Sequence, residues 1–193
     1  FETFWDFRTR VKPISSKRID DWSKDTVLEF PTEFGVIEMY IPKEAVKENV
    51  EVSIENVPQE EKRNILTDGL LERHLLSDSV FRFNPEDIQF LKPITISIPY
   101  QMNSSNHVKS YSSDNEEKWI LESQLYASNW KTWVDKDGIQ RGEWIPLAGR
   151  VDLEGRKFVF NTDFLSCFAI LGAPEISATN VLSDVIFTNN PFA

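Results

Sequence analysis

Cysteine is almost absent from this chain: Cys167 is the only one in 193 residues. A single cysteine cannot form an internal disulfide, so a disulfide-stapled scaffold is excluded and a reducing compartment is mildly favoured. Long apolar runs are also absent, and none approaches the roughly 18 residues that a membrane-spanning helix needs. We therefore expect no direct insertion into a membrane.

Basic charge is in short supply. The chain has 21 Lys and Arg residues against 31 Asp and Glu residues, a formal net charge of -10, and no run of four basic residues. Binding to a phosphate backbone depends on Lys and Arg side chains that neutralise it. The composition therefore argues against a nucleic-acid partner and against adhesion to anionic membranes.

The usual signatures of catalysis and metal binding are missing as well. The sequence has no glycine-rich phosphate loop and no nucleophile elbow. His74 and His107 lie far apart, and neither has a second His or Cys at metal-ligand spacing. Cys167 lies in an apolar stretch, which predicts a buried, inert thiol. We expect no cofactor and no enzymatic activity.

Hydrophobic residues make up 40% of the chain, with six Trp and fourteen Phe, which argues against disorder and for one sizeable core. The best-specified stretch is Ile94 to Ile98, where isoleucine alternates with Thr95 and Ser97. This period of two predicts a strand with one buried face. Pro93 and Pro99 bracket it, because proline cannot donate to a ladder.

Similar patterns predict further strands along the chain. They cover residues 26–30, 36–41, 50–55, 80–83, 118–122 and 166–171, two hairpins at 130–145 and 151–160, and one more candidate strand at 181–187. Residues 42–46 suit one helical turn, and the Ser- and Asn-rich residues 101–114 suit a surface loop. There is no internal repeat and no long amphipathic helix. The predicted fold is all-β: an antiparallel β-sandwich with short helical turns only.

Four pieces of the sequence resemble the ZU5 domain of ankyrins, netrin receptors, tight-junction scaffolds and death-domain adaptors. They are GVIEMYIPKEA at 35–45, LSDSV at 76–80, FLKPITISIPY at 90–100 and LSCFAI at 165–170. The resemblance covers about residues 26–172, with an unmatched insertion at about 101–150. Residues 1–25 are then an aromatic and charged segment, packed on the domain or serving as a partner-binding arm. Residues 173–193 are a C-terminal strand and tail.

One departure from the family bears on chemistry. Some ZU5 domains cleave themselves at a His-Phe-Ser sequence, with the serine hydroxyl attacking the preceding peptide bond. Here Ser166 takes the serine position and Leu165 the phenylalanine position, but Phe164 stands where the histidine should be. No base is then evident to activate the hydroxyl, so the resemblance implies a domain that does not cleave itself.

Four tryptophans, Trp119, Trp130, Trp133 and Trp144, fall close together in the sequence. Tryptophan clusters serve as protein or carbohydrate binding surfaces, and they also fill sandwich cores. The alternation along residues 130–134 permits either arrangement, so these residues are binding candidates.

Asp135, Asp137 and Gly138 resemble part of a calcium loop, because carboxylates on alternate residues can converge on a cation. The glutamate expected near the twelfth loop position is missing, however. Asp135 and Asp137 are therefore only weak metal candidates, and we expect a simple hairpin turn.

Two functions remain open. The resemblance implies a non-catalytic docking or scaffolding module that binds another protein, cytoplasmic if it belongs to a eukaryotic scaffold. Alternatively, the chain is a cell-surface or secreted β-sandwich, such as a bacterial lipoprotein domain, that binds a glycan or another ligand through its Trp-rich hairpin. The start at Phe1 rather than Met suggests a processed product or a fragment. Unpaired sheet edges also permit self-association.

Overall fold

The computed structural model describes residues 15–32, 35–57, 74–86, 88–103, 107–111 and 117–172 of the chain. Two antiparallel sheets build this part of the protein, and the only helix in it is a 3-10 turn at Glu122–Gln124. The strands are β1 (Ser15–Ile19), β2 (Thr26–Thr32), β3 (Gly35–Ile41), β4 (Val50–Asn56), β5 (His74–Asn84), β6 (Gln89–Pro99), β7 (His107–Tyr111), β8 (Glu117–Leu121), β9 (Leu125–Val134), β10 (Gln140–Leu147), β11 (Gly149–Asp152), β12 (Lys157–Phe164) and β13 (Cys167–Gly172).

The larger sheet has the strand order β1-β4-β5-β13-β9-β10, and β7 and β8 attach to it through β5. The smaller sheet has the order β11-β12-β6-β3-β2. All the strand pairs are antiparallel. The predicted all-β antiparallel sandwich is confirmed.

Alternation along the strands creates the core between the two sheets. In β6, Ile94, Ile96 and Ile98 are completely buried, while Thr95 and Ser97 lie on the other face. Phe168 of β13 lies at the centre of this core. Its ring centroid is 5.2 Å from that of Phe160 on the opposite sheet and 5.5 Å from that of Phe83 on its own sheet. The aromatic contacts therefore join the two layers.

A second apolar cluster lies on the other face of the larger sheet. Every residue of β13 is buried. Phe168 and Ile170 belong to the core between the sheets, whereas Cys167, Ala169 and Leu171 belong to the second cluster. Val57, Val80 and Trp144 complete that cluster. The strand β13 is thus apolar on both faces because both faces are buried.

Three local predictions need correction. Residues 107–111, predicted as surface loop, form β7, which pairs with β5 and β8. Residues 15–19, assigned to the terminal segment, form β1, an edge strand on β4. Residues 42–46 make a turn rather than a helical turn, with Glu44 at a φ of 63°. In β1 only Ile19 is buried, so the period of two is weak there. The candidate strand at 181–187 lies outside the described residues.

The central position of Phe168 gives a stability prediction. Replacing Phe168 by Ala should lower the free energy of unfolding by about 3–5 kcal/mol, because a completely buried phenylalanine leaves a cavity. Denaturant unfolding followed by circular dichroism measures this change. Leu153→Ala is the control, since Leu153 is an exposed turn residue and its replacement should cost less than about 0.5 kcal/mol. Equal losses in the two variants would contradict the assignment of Phe168 to the centre of the core.

Candidate interaction surface at the β9–β10 hairpin

The strands β9 and β10 form a long hairpin, and two of the four candidate tryptophans pack together on one of its faces. Trp130 and Trp144 lie directly opposite each other in the register. Their rings meet edge to face, with centroids 5.3 Å apart and planes at 60°. Gly142 makes room for this arrangement, because a Cβ atom there would lie 2.1 Å from the Trp130 ring. Trp144 is only 6% exposed and belongs to the second apolar cluster.

The third tryptophan, Trp133, is placed differently. It lies three residues after Trp130 on the same strand, so its side chain points to the opposite face of the hairpin. It is 40% exposed and pairs across the hairpin with Arg141. The structure describes the backbone of Trp119 in β8 but not its side chain. The four tryptophans therefore do not form one surface.

Two further apolar side chains near the turn are exposed, with Val134 on the hairpin face opposite to Trp133 and Ile139 across the turn from Asp135. Val134 is 67% exposed and Ile139 is 50% exposed. They flank the turn, where the Asp135 amide donates to the Ile139 carbonyl at 2.9 Å. We call Trp133, Val134 and Ile139 the hairpin tip. Sequence reasoning missed Val134 and Ile139, although apolar residues on both sides of an Asp-Gly turn were a usable signal.

Asp135 holds the turn of the hairpin together. Its Oδ1 accepts hydrogen bonds from the amides of Asp137 and Ile139, both at 2.9 Å. Its Oδ2 accepts from Arg141 Nε at 2.9 Å. The Ile139 amide, then the Arg141 side chain, hold the pKa of Asp135 below its ordinary value of 3.8. Gly138 supplies the positive φ of 79° that the turn requires.

This geometry bears on the weak metal candidates. Both carboxylate oxygens of Asp135 are committed to the turn and to Arg141, so they serve as hairpin caps. Within the described ranges, no group of three His, Cys, Asp or Glu residues could hold a metal ion. The turn that the sequence analysis expected at these residues is present.

The remaining chemically notable residues lie in or beside the sheets. Cys167 is buried in the second apolar cluster. The backbone of His107 begins β7, and its amide donates to Asn103 Oδ1 at 3.0 Å. His74 begins β5, and its side chain lies outside what the structure describes. The two histidines are on different strands of the larger sheet.

Ser166 lies just before β13, in the segment that joins the two sheets. Its hydroxyl donates to the Trp130 carbonyl at 3.2 Å, and its own carbonyl accepts from the Phe83 amide at 3.1 Å. The preceding Leu165 is buried. Phe164 packs its ring against Phe168, with centroids 6.1 Å apart. The hydroxyl is therefore directed at a carbonyl oxygen, which is not a base.

Comparison with known proteins decides the family. The model of the ZU5 domain matches residues 24–112. The match assigns these residues to the ZU5 domain. No curated protein matches the chain. ZU5 domains are interaction domains, which suggests a protein-interaction module in this part of the chain. In the ranges that the structure describes, no helix is both long and apolar enough to cross a membrane.

The ZU5 match does not fix the boundaries of the domain. The ZU5 match ends at residue 112, whereas the resemblance in the sequence extends to about residue 172. The boundaries 1–25, 26–172 and 173–193 stay predictions. In the structure, β12 lies next to β6 inside the smaller sheet, and β13 lies next to β5 inside the larger sheet. Each sheet therefore combines strands from within the ZU5 match with strands from beyond it. The hairpin tip lies beyond the ZU5 match.

The surroundings of Ser166 give a prediction about self-cleavage. Purified protein should keep its full mass of 22.4 kDa after long incubation, because Ser166 donates to a carbonyl and Phe164 replaces the family's histidine. Intact-mass spectrometry measures this directly, with Ser166→Ala as the control. Two fragments that meet between Leu165 and Ser166, in the wild type alone, would show that another group serves as the base.

The lowered pKa of Asp135 gives a pH prediction. A carboxyl whose pKa is depressed by folding stabilises the structure above its ordinary pKa of 3.8, and this stabilisation is lost as the pH falls through the lower folded value. The hairpin turn should therefore loosen below about pH 3.8, before the core melts. NMR amide shifts of Gly138 and Ile139 report it. In Asp135→Asn the same loosening should be present at pH 7, and Asp137→Asn should resemble the wild type.

Proposed function

We propose that this chain is a non-catalytic docking module that binds another protein through the hairpin tip. The observation that carries the proposal is the exposure of Trp133, Val134 and Ile139 around one ordered turn. Interfaces are enriched in tryptophan, and a few apolar anchors supply most of the binding energy. The match to the ZU5 interaction domain supports the same class of function.

The hydrogen-bonded, ordered conformation of the turn also favours binding. Asp135 ties both ends of the turn and Arg141 together by three hydrogen bonds, which fixes the backbone on either side of the hairpin tip. A binding loop that is already ordered loses less conformational freedom when its partner docks. An exposed tryptophan on a stiff hairpin therefore suits a partner with a complementary apolar pocket.

Glycan binding through a tryptophan platform is the second candidate. An indole face stacks well on a sugar ring, and Trp133 offers one. Trp130 and Trp144, however, are packed against each other and against the larger sheet. A single exposed indole makes a small platform for a glycan, whereas it suffices as the anchor of a protein contact.

The test replaces Trp133 by Ser. Binding to a partner enriched from the source cells should weaken by about tenfold or more, a loss of roughly 1.4 kcal/mol, because a central tryptophan anchor is removed. Quantitative mass spectrometry of the enriched proteins, followed by calorimetry on the purified partner, measures it. The melting temperature should stay unchanged, since Trp133 is exposed.

Leu153→Ser is the matched control, because Leu153 is an exposed apolar residue on a different turn. A partner set that is the same for Trp133→Ser and the wild type would contradict docking at the hairpin tip. Saturable binding to an immobilised glycan that Trp133→Ser abolishes would instead establish the second candidate.

A further inference from the structure

The smaller sheet turns one face to the core and the other outward. Strands alternate their side chains, so the outward face carries Val27 and Glu29 of β2, Glu38 and Tyr40 of β3, and Thr95 of β6. All these side chains are exposed or half buried. We call Val27, Glu29, Glu38, Tyr40 and Leu91 the outer patch.

The outer patch carries three exposed apolar or aromatic side chains, Val27, Tyr40 and Leu91. Val27 and Tyr40 lie directly opposite each other on neighbouring strands, and Val27 is 55% exposed. Leu91, near the start of β6, is exposed on the same face. Asp25 lies beside the Tyr40 hydroxyl, where it raises the pKa of Tyr40, and it accepts a hydrogen bond from the Lys43 amide at 2.8 Å. A tyrosine beside aliphatic side chains is typical of binding surfaces.

The charges on the outer patch are unbalanced. Glu29 and Glu38 lie directly opposite each other on β2 and β3, an arrangement of like charges that destabilises a sheet. Lys157 Nζ pairs with Glu38 Oε1 at 2.5 Å. Among the described residues, no cation pairs with Glu29. The Glu29 carboxylate, two residues along β2 from Val27, is therefore left for a cation from outside.

We propose that the outer patch docks a second protein surface, separate from the partner of the hairpin tip, on which a Lys or Arg side chain faces Glu29 among apolar side chains. Neighbouring polar residues do not compete for this cation. Thr95 Oγ1 donates a hydrogen bond to Asn161 Oδ1 at 2.9 Å, and Glu38 already forms a salt bridge with Lys157. A basic and apolar partner pairs with the Glu29 carboxylate and covers Val27 and Tyr40 at the same time.

The probe for the test is a capped peptide of about ten residues in which lysine alternates with valine, a spacing that matches the pleat of a sheet face. NMR titration at physiological salt should give saturable shifts at the amides of Val27, Glu29 and Tyr40. The same peptide with glutamate in place of lysine should give none. Shifts spread evenly over the acidic surface of the protein would overturn the proposal, because they indicate charge attraction alone.

Glu29→Gln separates a binding role from a structural one. It should weaken binding of the lysine peptide about threefold or more, while the free protein melts at the same temperature or about 1–2 °C higher, because a like-charge pair is removed. Glu143→Gln on β10 makes the same change in net charge away from the outer patch and should leave binding unchanged. Equal effects of the two variants, or a lower melting temperature for Glu29→Gln, would overturn the proposal.

Two further variants complete the design. Val27→Ser should also weaken binding, since it removes exposed apolar surface without touching charge. Trp133→Ser should leave binding of the lysine peptide unchanged, which keeps the outer patch independent of the hairpin tip. Loss of peptide binding in Trp133→Ser would place the peptide on the hairpin and overturn the proposal for the outer patch.

Discussion

The burial of β13 on both faces is the constraint on which the rest of the structure depends. Phe168 and Ile170 complete the core between the sheets, while Cys167, Ala169 and Leu171 hold the second apolar cluster. A strand buried in this way cannot slip by one residue, because a slip would exchange the two sets of side chains. The register of its neighbours β5 and β9 follows from this, and β9 in turn places Trp130 over Gly142.

The hairpin tip is a consequence of the same register. β9 pairs with β13 only from Leu125 to Asn129, so its remaining residues extend beyond the cover of β13 and pair with β10 alone. After Trp130, the side chains of residues 131–134 on this extension are all exposed. Trp133 and Val134 are among these exposed residues. Order at the turn comes from the hydrogen bonds that the Asp135 carboxylate accepts.

Much of the fold could be predicted from the sequence because strands with one buried face show a period of two. The isoleucines of β6 and the Asp-Gly turn of the hairpin are examples, and both are confirmed. The strands β1 and β7 could not be predicted, since Ser15–Ile19 and His107–Tyr111 have polar sequences and form strands through pairing with distant segments of the chain. The four tryptophans could not be sorted either. Whether Trp144 is core or surface depends on the second apolar cluster, which unites residues from β5, β10 and β13 that are distant in the chain.

The ZU5 match ends within the two sheets, and the two proposed binding surfaces lie on different sides of its end. The match ends at residue 112, yet the central strands β12 and β13 of the two sheets come later in the chain. Residues beyond the match therefore complete the core with β5 and β6, and they also carry the hairpin tip. The outer patch, by contrast, lies largely on β2 and β3, within the match. The two proposed surfaces therefore differ in origin: the outer patch lies on strands that the ZU5 model describes, whereas the hairpin tip lies on strands beyond it.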